Sequence, residues 1–197
     1  MRMNDGTYRH LRRNLDLPGH AHELTFCNFH GYKLLSKDRT RQWLINALKR
    51  ARKIYELDIF AYVLMPEHAH ILLRPTQDLY QMSLIKKSIK QPVATRAINF
   101  LVKEMNSAWL DRLTIERPGG KIERHFWQIG GGYDRNMVSP QALRAAIDYI
   151  HANPVRRGLV ERSCDWEWSS ACWWEGERDV PLAMDDLPSL DLWRQAC

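Results

Sequence analysis

The chain has 197 residues, 45% of them hydrophobic and 26% charged, with a formal net charge of +6. That length suits one domain with a sizeable core, and the apolar content excludes a disordered polyelectrolyte. No apolar segment approaches the ~20 residues that cross a bilayer, and the arginines near the N-terminus are not followed by the apolar core of a signal peptide. Cys27, Cys164, Cys172 and Cys197 show neither a CxxC nor a zinc spacing. The expectation is a cytoplasmic protein with reduced thiols, no membrane contact, and a monomeric or homodimeric state. The basic balance points to an acidic partner, nucleic acid foremost.

Residues 1–19 form a polar arm with Arg9, Arg12 and Arg13, either a phosphate contact or a plain terminus. Glu23 to Phe29 alternates and predicts a strand. Asp38 or Thr40 opens a helix that turns Leu44, Ala47, Leu48, Ala51, Ile54 and Tyr55 inward. Its other side, with Arg41, Lys49, Arg50, Arg52 and Lys53, reads as a solvated face. Ile59 to Met65 is an apolar strand, Pro66-Glu67 a sharp turn, and His68 to Arg74 a second, alternating strand. Asp78 predicts the cap of another helix, with Leu79, Met82, Ile85 and Ile89 inward and Lys86, Lys87 and Lys90 crowded on one turn. Pro92 should kink or break it, and Ile98, Leu101 and Met105 carry a continuation.

Pro118-Gly119-Gly120 reads as the turn of a hairpin. Ser139-Pro140 is a helix start, with Leu143, Ala146, Ile147 and Ile150 as its buried stripe and Asn153-Pro154 as its end. Residues 161–197 hold Trp166, Trp168, Trp173, Trp174 and Trp193, too much aromatic surface to leave in water, so this tail should dock on the domain spanning 20–160 or on a partner. The element order predicts an α+β domain, an antiparallel sheet flanked by helices, close to the ferredoxin-like split βαβ pattern.

Two stretches bear chemistry. His68 and His70, at i and i+2 on one strand, project from one face and can grip a metal ion with fixed geometry; the bland reading is a pair of half-buried strand histidines. His20-Ala21-His22 repeats the tripeptide at the start of a strand, so the letters alone do not choose between the pairs. Gly130-Gly131-Gly132 precedes Tyr133, either a covalent nucleophile on a movable hinge or a partly buried tyrosine.

Pro66-Glu67-His68-Ala69-His70, then Phe126-Trp127-Gln128 with Gly130-Gly131-Gly132-Tyr133-Asp134-Arg135-Asn136, then Tyr149-Ile150-His151-Ala152-Asn153-Pro154-Val155-Arg156-Arg157-Gly158-Leu159-Val160, in that order, resemble the REP-associated tyrosine transposases, single-tyrosine enzymes with a His-hydrophobic-His (HUH) motif. The resemblance implies a ferredoxin-like core with the histidines on a central strand and the tyrosine, Tyr133, on a helix beside it. It implies Mg²⁺ or Mn²⁺ held by His68 and His70, Tyr133 as nucleophile, and single-stranded DNA next to a REP-type hairpin as partner. Related insertion-sequence transposases place a glutamine four residues after the tyrosine. Here that position is Met137, a poor ligand for a hard cation, so Asn136, the nearest oxygen donor, is the candidate third metal ligand beside His68 and His70.

The implied reaction is cleavage of single-stranded DNA through a 5′-phosphotyrosine, with Lys86, Lys87, Lys90, Arg12, Arg13, Arg156 and Arg157 on the DNA backbone. Two other readings stay open: a DNA-binding regulator without catalysis, and a metal-dependent phosphodiester hydrolase in which Tyr133 is structural.

Overall fold

The computed structural model describes residues 16–188, so Arg12, Arg13 and Trp193 lie outside the described residues. In chain order the elements are β1 (Ala21–Cys27), α1 (Asp38–Tyr55), β2 (Leu57–Leu64), β3 (His68–Pro75), α2 (Met82–Lys103), α3 (Ser107–Arg112), β4 (Thr114–Arg117), β5 (Lys121–Arg124), β6 (Tyr133–Met137), α4 (Pro140–Arg156) and α5 (Ala171–Trp174). Strands pair in the order β2-β3-β1-β6, antiparallel throughout, while β4 and β5 form a separate hairpin. This is the split βαβ arrangement, with β6 as its fourth strand and α4 added after it.

The register decides which side chains share a face. Thr25 lies between His70 and Tyr133, Cys27 opposite His68, and Glu23 between Leu72 and Arg135. Their face is covered by α4, whose Leu143, Ala146, Ile147 and Ile150 pack with Phe60, Ala61, Val63 and Leu72. On the other face Leu24, Phe26, Ala69, Ile71 and Leu73 meet the apolar stripes of α1 and α2. Strand alternation thus separates a packed, two-helix face from a face that one helix covers in part.

Helix expectations need correction at several points, beginning with Ile54, which is 57% exposed rather than turned inward. The second helix starts at Met82 rather than at an Asp78 cap, and Leu79 is 91% exposed, because residues 76–81 form a loop. That helix runs through Pro92 to Lys103, so the proline does not end it; Ile89, Val93 and Ala97, buried in the core on either side of Pro92, hold both halves to the sheet. The helix does end before Met105, which has a positive φ and is exposed. Likewise α4 continues past Asn153-Pro154 to Arg156. Its start is as expected: Ser139 accepts from the Ala142 amide at 3.2 Å, with Pro140 in the first turn.

Residues 163–188 run along the outer edge of β2. The Leu64 amide donates to Trp168 O, the Ser170 amide to Tyr62 O and the Asp185 amide to Ile59 O. Indole N–H groups of Trp166 and Trp174 donate to Leu64 O and Phe60 O. The segment satisfies backbone groups that an edge strand leaves open. Arg41 is buried beneath it, its guanidinium 5.1 Å from the Trp166 ring and 5.7 Å from Trp168, rather than on a solvated face.

His151, on α4, meets the Ser170 hydroxyl at 2.9 Å at this junction. Burial pushes its imidazole down to about 4, against the pull of Asp148 and Glu175. The unfolded chain, with an ordinary histidine, binds the extra proton between about pH 6.5 and pH 4, so stability is lost as pH falls through that window. Unfolding in urea at stepped pH should show a wild-type loss, relative to His151→Gln, of at most about 3 kcal/mol. Parallel pH profiles for the two proteins would remove His151 from this role.

Candidate active site

His68 and His70 stand at the start of β3, on the face beneath α4, with ring centroids 4.8 Å apart. Each has one ring nitrogen engaged by the protein. His68 Nδ1 lies 3.2 Å from Glu67 Oε1, and His70 Nδ1 lies 2.9 Å from the Thr25 hydroxyl. Glu67 is in turn held by Arg157 Nη1 at 3.2 Å. Such contacts fix ring orientation and leave Nε2 of each imidazole as the nitrogen for a ligand. Burial, then the neighbouring His68 and Arg157, pushes His70 down to about 3; burial and Arg157 also lower His68, against Glu67. Both rings are therefore neutral near pH 7, the form that binds a metal.

The helix facing this pair brings a tyrosine, and it is Tyr149. Its ring centroid lies 5.6 Å from that of His70, nearly perpendicular, and the side chain is 41% exposed. Four residues on, one helical turn away, Asn153 is buried on the same face. Its amide nitrogen donates to the carbonyls of Tyr149 and Ile150, which turns the amide oxygen to other partners. Arg156 lies over the Tyr149 ring at 5.2 Å. His68, His70, Tyr149, Asn153, Arg156 and Arg157 line one cleft of about 410 Å³. A second cleft of about 540 Å³ shares Thr25, His70 and Tyr149 and continues to Glu23, Tyr133 and Arg135. Together they make a groove across β1 between α4 and β6.

Tyr133 lines that groove, but it opens the edge strand β6 and not a helix. Thr25 separates it from His70 in the register, so the two stand two strands apart, about 10 Å at the usual strand spacing. Gly132 is packed tightly against β1. Its φ is +76°, and a Cβ there would fall 2.7 Å from Thr25 O, so only glycine lets this loop close on β1. A tyrosine and an asparagine three apart on a strand face opposite ways, and Asn136 is therefore on the α1–α2 side, its amide nitrogen 3.2 Å from His20 Nδ1. It does not reach the histidine pair. Met137 is buried in the core under α4.

The lysines of α2 also lie on that far face. Lys86 is 8% exposed and pairs at 2.8 Å with Asp134, whose other oxygen meets His22 Nδ1 at 2.9 Å. His22 Nε2 meets the Tyr80 hydroxyl at 2.9 Å. Lys90 reaches Gly130 O at 3.3 Å, and Lys87 alone of the three is exposed. Lys86 is thus a structural cation, and His22 belongs to a buried network instead of a second metal pair. Removing Asp134 would leave Lys86 buried without its partner, so Asp134→Ala should cost about 3–5 kcal/mol in urea unfolding. A loss below about 1 kcal/mol would show the network to be dispensable.

Among the described residues, no three His, Cys, Asp or Glu side chains gather as a metal site. The cleft instead offers two imidazoles and the side-chain amide of Asn153, which line it together. It fits a hard divalent cation whose remaining positions are filled by water or phosphate oxygen. Tyr149, Asn153, Thr25 and Glu67 escaped assignment from sequence. A signal was present for two of them, because Tyr149 and Asn153 are four apart beside the predicted stripe of a well-capped helix.

No family model matches the chain. Over 146 residues it is 25% identical to a curated protein of Haemophilus influenzae (strain ATCC 51907 / DSM 11121 / KW20 / Rd) named “Putative REP-associated tyrosine transposase”, covering 71% of this chain and 77% of that one. Among solved structures it is similar to a REP-associated tyrosine transposase bound to a REP hairpin, with a TM-score of 0.60 and 20% identity, covering 92% of this chain and 95% of the other. A transposase-like protein of Deinococcus radiodurans matches with a TM-score of 0.43 and 17% identity, over 75% and 95%. The fold and site define the class: a ferredoxin-like α+β domain whose central strand presents a histidine pair to a tyrosine-bearing helix. Within that class the chain is related to the REP-associated tyrosine transposases, as its motifs led one to expect.

Proposed function

We propose that this protein is a transposase-type enzyme that binds single-stranded DNA beside a REP-type hairpin, then nicks and rejoins it through a covalent bond to Tyr149. The observation that carries the proposal is the cleft in which Tyr149 stands over His70, with Asn153 one turn away and Arg156 and Arg157 at its rim. Related insertion-sequence transposases place a glutamine four residues after the tyrosine; Asn153, also a side-chain amide, holds that position relative to Tyr149, whereas Met137 holds it relative to Tyr133. The relative named for a REP hairpin complex supports the choice of partner.

Arg156 and Arg157 would bind the phosphodiester and draw it into the cleft. Tyr149 Oη would attack phosphorus in line, forming the O–P bond as the bond to the 3′ oxygen breaks. The phenolic proton leaves to solvent, and the departing oxygen becomes a 3′ hydroxyl by taking a proton from water. The phosphotyrosine keeps the ester energy, so a 3′ hydroxyl can reverse the step without ATP. His68, His70 and Asn153 would hold Mg²⁺ or Mn²⁺, an ion that when bound supplies neutralisation of a phosphate oxygen. Thr25 and Glu67 position the two imidazoles.

The test is incubation with a fluorescent single strand carrying a REP-like hairpin and Mn²⁺, followed by a denaturing gel. A 3′-side fragment linked to the protein through its 5′ phosphate is expected, with the other fragment released as a free 3′ hydroxyl. Cleavage without adduct would favour the hydrolase, and tight binding without either would favour the regulator.

A further inference from the structure

On the face of the sheet opposite the histidines, a groove of about 350 Å³ runs between α1 and α2. Arg50 enters it from α1, Lys87 and Arg96 from α2, with Ser88, Gln91 and Thr95 between them. All three cations are exposed, and among the described residues none of them is paired with a carboxylate. Lys49 and Lys53 extend the exposed charge along α1. Three exposed cations along a groove whose lining has no acid give it a positive potential that favours an extended anionic chain.

The lining also has no aromatic ring. Proteins that hold single strands combine cations with rings on which bases stack, whereas duplex backbone is held by cations, hydroxyls and amides. From Lys87 to Arg96 the helix rises about 14 Å, which matches about four nucleotides of duplex at 3.4 Å each. We propose that this groove is a second nucleic-acid site, which takes the phosphate backbone of duplex DNA and does not read bases. That the duplex is DNA rests on the transposase reading; the position and charge of the groove do not. Because the sheet separates the groove from the cleft, a duplex here can be held while a single strand occupies the active site.

The experiment compares wild type with Arg50→Ala/Lys87→Ala/Arg96→Ala, using fluorescence anisotropy over a KCl series. One probe is a blunt 20-base-pair duplex without a hairpin, the other an unstructured single strand. In the variant, duplex affinity should fall at least about 10-fold and the logarithmic salt slope should shrink by up to about 2.7, or 0.9 per lost phosphate contact. Single-strand affinity and the thermal unfolding midpoint should hold. Lys87→Glu, a single exposed change, should weaken duplex binding in the same direction. An unchanged duplex slope, or equal loss for both probes, would overturn the second site. Failure of the transposase reading would appear elsewhere, as absent cleavage of the hairpin strand with duplex binding intact.

Discussion

Tyr149→Phe is expected to lower cleavage of a hairpin-bearing single strand by ~10⁴-fold or more and to abolish the protein–DNA adduct. Hairpin affinity should stay within about 3-fold, because the ring keeps its packing against His70 and beneath Arg156 and loses only its hydroxyl. Tyr133→Phe should keep cleavage, with at most a modest loss from the groove it lines. The contrast follows from the sheet. Tyr133 is two strands from His70, whereas Tyr149 is in ring contact with it. A reversed result, with Tyr133→Phe dead and Tyr149→Phe active, would mean that the edge strand moves across Thr25 to reach the histidines.

The second large effect concerns the ligand set. His68→Ala and His70→Ala should each lower cleavage at least ~10³-fold, since each removes an imidazole whose direction the protein has fixed. Asn153→Ala should retain activity but need about 10- to 100-fold more Mn²⁺ in a titration followed by cleavage. Asn136→Ala should leave the Mn²⁺ requirement unchanged, because its side chain lies on the far face. His20→Ala should be nearly silent. His22→Ala should lower stability rather than chemistry, because it opens the buried pair with Asp134. A metal requirement that Asn153→Ala does not move would limit the protein's ligands to the two imidazoles.

The fold was legible where local chemistry agreed with tertiary demand. The His68 to Arg74 alternation, the Pro66-Glu67 turn and the Ser139-Pro140 start each encode their own geometry. The long helices were harder. Pro92 and Pro154 are local breakers that packing overrides, through core residues flanking Pro92 and a buried Pro154.

The histidine pair was also legible, because period two needs no partner to define a face. The tyrosine of the proposed chemistry was not. Three glycines drew attention to Tyr133, yet Gly132 is there to let a loop close on Thr25. Choosing Tyr149 requires knowing that α4 crosses over β2 and β3, a contact between residues about 80 apart in sequence. The same holds for Lys86 and Arg41, which read as surface charge and are buried by Asp134 and by the tryptophans of the C-terminal segment.

The central claim, that Tyr149 is the residue joined to DNA, is tested most directly by mapping the adduct. Wild-type protein would be trapped on the hairpin strand with Mn²⁺, digested with nuclease and trypsin, and the modified peptide sequenced by mass spectrometry. Trypsin separates the candidates, since Tyr149 falls in the peptide from Ala145 to Arg156 and Tyr133 in that from His125 to Arg135. A phosphonucleotide on the Ala145 peptide, at Tyr149, is the expected result. The same mass on the His125 peptide, at Tyr133, would contradict it.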